Sequence, residues 1–267
     1  MPILRQFQIL IIVILISGTQ SYAQVGIDSA DRLSYTKPVL SFEAGLMIQP
    51  AGEIRSEGPA NYLSTRTTLG PTFGLAFNFP VLIFQKFPSH LVLDLGLTSL
   101  NYRTRLQVPN GIGLLTDNID ITQNQRLAGF ETALKLVHPV KGVNSNGLEL
   151  IGGLGMQGFL FHHSRIRQAI SADIQTDNGR ENRVILQWGS DEISGFRTID
   201  TDVNLGLGYR IQLENHLWMA VRLERVRNLT GSELVRSFEM IDLGIEYRGE
   251  HSSTTDHWKL SLVVLPF

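Results

Sequence analysis

His162-His163-Ser164 is the first group in this chain that could do chemistry. In an extended strand, residues two apart share a face, so the His162 imidazole could take the Ser164 hydroxyl proton and make a nucleophile. Such a pair needs a third group to orient the imidazole, and Asp173 and Asp191 are the acids placed by loop position to supply it. A second group is Asp200-Thr201-Asp202 with Asp256-His257. Asp200 and Asp202 share a face, but the adjacent Asp256 and His257 point oppositely in a strand, so solvated strand ends account for them as well. A third is Gly153-Leu154-Gly155-Met156-Gln157-Gly158, which spells a dinucleotide fingerprint. That fingerprint follows a buried strand and opens a helix. Here Gly153 and Gly155 fall on one face of an alternating strand, as glycines do when they make room for bulkier neighbours.

Composition narrows the choice. The chain has 267 residues with 43% hydrophobic content, enough for one sizeable core and too apolar for a disordered chain. It has no cysteine, which excludes disulfides, thiolate metal sites and a thiol nucleophile. The formal charge of −2 gives no basic excess for nucleic acid. No cofactor or metal is expected. Residues 1–23 read as a secretory signal peptide: Arg5 opens it, Phe7 to Ile16 are apolar except Gln8, and Ser21-Tyr22-Ala23 offers small residues before Gln24. The mature domain is then 24–267, with no apolar run of the roughly 20 residues needed to span a membrane as a helix.

The elements that must hold these residues are strands. Leu40, Phe42, Ala44, Leu46 and Ile48 alternate with Ser41, Glu43, Gly45 and Gln49. The same period of two recurs at Leu69–Phe79, Leu91–Leu97, Ala128–Leu136, Leu148–Leu160, Val203–Ile211, Leu217–Leu223, Ile241–Tyr247 and Trp258 onward. Across these nine runs the apolar face carries no Asp, Glu, Lys or Arg. A charge on a lipid-facing barrel wall costs about 2–4 kcal/mol near the midplane, whereas a soluble sandwich is under no such constraint. The fold expected is therefore all-β, an antiparallel up-and-down transmembrane β-barrel. Even strand numbers are the rule, so adding Asn182–Trp188 gives about ten strands, with eight as the runner-up. Segments 50–68, 104–124 and 164–181 are expected as long loops on one side, with short turns on the other.

If the apolar faces meet lipid, the opposite faces line a lumen. They carry Glu43, Asp94, Glu131, Glu149, Asp202, Glu224, Asp242 and Glu246 against Lys135, Arg210, Arg222, Arg248 and Lys259. Small barrels are filled by side chains, and open channels appear at about 16 strands. Buried charges persist only when paired, so a lumen closed by a charge network is expected. Arginines also gather outside the strand centres, at Arg165, Arg167, Arg180, Arg183, Arg225, Arg227 and Arg236, where guanidinium groups suit phosphates.

The leader ending Ser21-Tyr22-Ala23-Gln24, the repeated alternating strands and the terminal strand ending in Phe267 together resemble small outer-membrane β-barrel proteins, the PorT-like and OmpA-barrel-like groups. The resemblance implies a Gram-negative outer-membrane location and a structural or accessory role in an envelope or secretion assembly. Outer-membrane lipid, including lipopolysaccharide, and envelope proteins are the partners it implies. His162 and Ser164 resemble the His-x-Ser pair of outer-membrane lipid A deacylases, and the Asp pairs with His257 resemble omptin-like proteases. An outer-membrane enzyme of either kind is the alternative, and a narrow small-solute channel is a third.

Overall fold

Val, Leu, Ile and Phe at every second position make a ribbon with one apolar face, and such ribbons are stable only when paired edge to edge. A computed structural model describes residues 38–57, 62–83, 87–111, 115, 117–140, 146–159, 169–188, 199–214, 217–231, 233–241 and 247–266. Among them are fourteen strands: β1 (Val39–Gln49), β2 (Glu53–Glu57), β3 (Leu63–Thr65), β4 (Thr68–Ile83), β5 (Phe87–Val108), β6 (Ile119–Pro139), β7 (Gly147–Phe159), β8 (Ala169–Thr176), β9 (Gly179–Trp188), β10 (Ile199–Glu214), β11 (Leu217–Asn228), β12 (Glu233–Met240), β13 (Tyr247–Thr254) and β14 (His257–Pro266). The leader, Asp242, Glu246 and Phe267 lie outside the described residues.

Eight strands close a barrel in the order β1-β4-β5-β6-β7-β10-β11-β14, every neighbour antiparallel. β14 returns to β1, with Leu46 opposite Leu260 on one side and Pro71 on the other. Closure removes every free edge from the ring. The count is the lower of the two expected. Eight strands also place the short link between β10 and β11 on the same side as those at 84–86 and 141–145, as alternating turns require.

The strands that do not fit the ring form a second sheet, β2-β13-β12-β9-β8. The segments 50–68, 104–124 and 164–181, expected as loops, therefore contain strands among their described residues. Asn182–Trp188 lies in β9 of this sheet rather than in the barrel; of the run at Ile241–Tyr247 only the ends are described, Ile241 after β12 and Tyr247 at the start of β13. β5 and β6 are 22 and 21 residues long and stay paired from His90–Val137 to Val108–Ile119, well past the ring. Their inward face continues past the rim as Leu106, Val108, Ile119 and Ile121. The second sheet packs on that face through Ile170, Ile174, Leu186, Trp188, Phe238 and Met240. It therefore lies on the barrel-axis side, over the end of the ring opposite the short turns. Trp188 meets Phe238 edge to face at 5.7 Å and donates its indole N–H to Gln123 of β6 at 3.1 Å, tying this cap to the hairpin.

Two local devices shape the cap. The β8–β9 hairpin turns through Asp177-Asn178, with Gly179 at φ +111°, a value that disfavours any side chain. A bulge against Ile170 and Ser171 leaves Ile185 without a partner in β8, so Ile185 and Leu186 are both buried although they are adjacent.

On the exposed side of the β5–β6 extension, Arg105 Nε donates to Asp120 Oδ1 at 2.6 Å, and a second guanidinium nitrogen donates to Oδ2. These hydrogen bonds hold the Asp120 carboxyl below its ordinary value of 3.8. A carboxyl so depressed contributes its pairing fully above that value and loses it as pH falls through the lower folded one. The Asp120 carboxyl carbon should accordingly titrate below 3.8 in an NMR pH series. In Arg105→Gln it should rise toward the ordinary value, and a wild-type midpoint at or above 3.8 would contradict the pairing.

Candidate functional site

The site the residues build is the lumen, stacked in three layers. Nearest the short turns it is largely apolar: Ala76, Val92, Val137 and Ile151 pack on one side, and Trp218, Ala220, Val263 and Leu265 on the other, with the buried polar Ser41, Asn78 and His90 among them. Arg210 stacks its guanidinium 4.7 Å from the Trp218 ring centre, joining this layer to the next.

The middle layer is charged. Lys135 on β6 sits 2.6 Å from Asp94 on neighbouring β5 and 2.8 Å from Glu224 on β11, three strands away round the ring. Lys259 on β14 lies 2.9 Å from Glu43 on β1 and 3.3 Å from Glu131 on β6, which is diametrically opposite. Arg222 Nε donates to Glu149 at 3.0 Å, and Arg210 is 3.8 Å from the other oxygen of that carboxylate. Each cation thus reaches past its own strand, and all of these groups are buried. Burying an ion costs several kcal/mol, which only close partners with good geometry offset.

Toward the cap the lining carboxylates are met by amide and hydroxyl donors rather than by cations. Asp202 accepts from Asn204 at 2.8 Å, and Asp200 accepts from Thr230 at 3.1 Å and Thr255 at 3.3 Å. His257 donates its Nδ1 proton to the Thr255 carbonyl at 2.9 Å and places Nε2 3.5 Å from Gln157. Asp200 and Asp202 are buried rather than solvated strand ends. Asp256 is turned away from His257, accepting from the Asn228 backbone at 2.8 Å and from Arg225 at 3.2 Å. Asp200, Asp202 and His257 are buried and engaged by these neighbours.

Of the twelve residues expected in the lumen network, Glu43, Asp94, Glu131, Lys135, Glu149, Asp202, Arg210, Arg222 and Glu224 line the lumen. Asp242 and Glu246 lie outside the described residues. Arg248 is a correction: it sits on β13 of the second sheet and pairs with Glu239 at 2.8 Å in solvent, because its strand never joins the ring. Lys259, noted in the sequence among the inward charges, turns out to be central. His162, Ser164 and Asp191 lie outside the described residues, and Asp173 accepts from Asn182 on the exposed cap at 2.9 Å. No group of three or more His, Asp or Glu among the described residues is placed to hold a metal ion.

The glycine motif has a clear physical role here. A Cβ on Gly153 would stand 2.9 Å from Lys135 Cγ, and one on Gly155 would collide with the Asp202 carboxylate. Gly206 and Gly208 do the same for the charged layer: a Cβ on Gly206 would lie 2.7 Å from Glu224 Cγ, and one on Gly208 would lie 3.0 Å from Glu149 Oε2. Glycines therefore stand where long charged side chains from the next strand cross.

No protein-family model matches the chain, and no curated protein matches its sequence. Among solved structures it is similar to the outer membrane protein OprG from Pseudomonas aeruginosa, at 11% identity and a TM-score of 0.44, covering 87% of this chain and 97% of that one. It is similar also to the transport unit of the autotransporter AIDA-I from Escherichia coli (10% identity, TM-score 0.31, covering 94% and 96%). A third is a Pseudomonas aeruginosa FadL homologue (9% identity, TM-score 0.24, covering 86% and 89%). With every TM-score below 0.5, the architecture rests on the strand pairing described above.

Two substitutions probe the charged layer. Lys135→Met leaves Asp94 and Glu224 facing each other without their cation and should destabilise the fold by about 3–5 kcal/mol. Gly206→Val drives a methyl group against the Leu223 backbone oxygen, 2.7 Å from the ideal Cβ, and should cost about 1–3 kcal/mol. Urea unfolding followed by tryptophan fluorescence measures both; wild-type midpoints would contradict a packed lumen.

Proposed function

We propose that this chain is an outer-membrane β-barrel closed to diffusion, a structural or accessory envelope component that carries its β-sheet cap on the outer side. The observation that carries this reading is the contrast between the two faces of the ring. Outside, Leu40, Phe42, Leu46, Phe73, Leu75, Leu95, Leu97, Leu205, Leu207 and Leu262 form an exposed apolar belt. Water does not tolerate so continuous a belt on a soluble monomer, whereas lipid requires one. Inside, cross-lumen ion pairs and an apolar layer occupy the space a porin leaves to water.

The orientation follows from the connections, short turns toward the periplasm and the cap outward. The cap shares one apolar core with the β5–β6 extension and turns charged residues such as Arg183 and Arg248 to solvent, so the barrel serves it as an anchor. The apolar side chains, the charged layer and the cap follow one another along the axis, and this succession supports a lumen closed to solutes. This favours the accessory reading over the narrow channel.

Single-channel recording in planar bilayers tests the closed lumen: the reconstituted chain should give no conductance steps, and regular steps from wild type would refute it. The belt has its own test. Leu95→Arg should lower stability in lipid vesicles by about 2–4 kcal/mol, while Ser237→Arg on the exposed cap should change it by no more than about 0.5 kcal/mol. Equal effects would contradict a lipid-facing wall.

A further inference from the structure

Outside the lumen, the outer rim carries a second pattern. Outward-facing residues of β11 run Met219, Val221, Leu223, Arg225, Arg227, so the wall changes from apolar to basic in one step. Leu223 and Val221 belong to the exposed belt, and Leu205 of β10 stands opposite Arg225 with Val203 opposite Arg227. On the other side Trp258 of β14 pairs with Arg225 and is itself 41% exposed on the outer wall. The Arg225 guanidinium lies 5.4 Å from the Trp258 ring centre, and its Nη2 is 3.2 Å from Asp256. These two contacts hold the guanidinium beside the outer wall. Arg227, exposed, has no carboxylate within ion-pair distance among the described residues.

Arginines elsewhere on the cap are balanced locally. Arg55, Arg183 and Arg248 each face a carboxylate at 3.2, 2.8 and 2.8 Å. Arg66 and Arg103 are exposed, but Ser99 and Asn101 separate Arg103 from Leu97, the last apolar outward residue of β5. Among the residues whose side chains are described, β11 sets positive charge directly on the belt and beside an interfacial tryptophan, the position where headgroups meet acyl chains.

We infer that Arg225 and Arg227, with Trp258, form a binding site for a phosphorylated glycolipid of the outer leaflet. The acyl chains lie along Leu223, Leu205 and Leu260, and the phosphate sits on the two guanidinium groups. Guanidinium forks match phosphate oxygens in pairs, which a lysine rim would not do. The inference rests on the membrane reading above and adds a lipid class and a place to it.

The test uses the full chain purified in detergent, with binding followed by native mass spectrometry. The wild type should retain bisphosphorylated lipid A, and R225Q/R227Q should bind it about tenfold or more weakly, since each charge-assisted hydrogen bond lost is worth about that factor. R66Q/R103Q should bind like wild type. Lipid A stripped of its phosphates should bind the wild type as weakly as intact lipid A binds the double variant. Heat-modifiable migration on gels reports whether each barrel is folded. Should the double variant not fold, R227Q alone carries the test, because no described contact depends on that side chain, and a several-fold loss is expected. Undiminished binding by the folded variants, equal binding of dephosphorylated lipid A, or displacement by millimolar inorganic phosphate would each overturn the inference. A chain that does not enter phosphatidylcholine vesicles overturns the membrane reading and this site with it, whereas one that enters but ignores the phosphates overturns this site alone.

Discussion

Lys135 and Lys259 each hold two carboxylates contributed by different walls of the ring, and most other features follow from having to bury them. A lysine ammonium cannot be taken out of water singly, and neither can the carboxylates, so cations and acids must arrive together at the axis. An eight-stranded ring is narrow enough for side chains from opposite strands to touch there. A wider ring would leave the same groups hydrated and the lumen open. The charged layer therefore ties strand number to closure: it is satisfied only in a small barrel, and it fills that barrel.

The glycines and the apolar layer are consequences of this. Gly153, Gly155, Gly206 and Gly208 clear the paths along which Lys135, Asp202, Glu224 and Glu149 cross. Below them Trp218, Val92, Val137, Ile151 and Leu265 keep water from the lower side of the ion pairs, which strengthens them by lowering the local dielectric. Above, on the cap side, Asp200 accepts from Thr230 and Thr255, Asn204 donates to Asp202, and Gln157 lies against His257, so amides and hydroxyls take over from the cations. On the outside no such compensation is available, and the wall carries no charge until the rim at Arg225 and Arg227.

Much of this was legible in the sequence because a barrel wall writes itself as period-two alternation. Eight of the nine alternating runs are the eight walls, and parity alone assigned nine of the twelve expected charges to the inside. The misplaced features share one cause: alternation marks a strand with a buried face but does not say which sheet buries it. Val184, Leu186 and Trp188 alternate as a wall strand would, yet β9 pairs with β8 and β12 in the cap, and its bulge buries Ile185 too. Arg248 was read as inward by parity on a strand that belongs to that second sheet. Which cation meets which acid was not legible at all, since Lys259 and Glu131 are 128 positions apart and their meeting depends on ring closure.

The account stands most directly on the contact between opposite walls. A double-mutant cycle on Lys259→Met and Glu131→Leu, read by urea unfolding in lipid vesicles, measures it. The two substitutions should be coupled by about 0.5–3 kcal/mol, as for residues in one ion-pair network. Additivity within about 0.3–0.5 kcal/mol would mean that the two walls do not meet across the lumen.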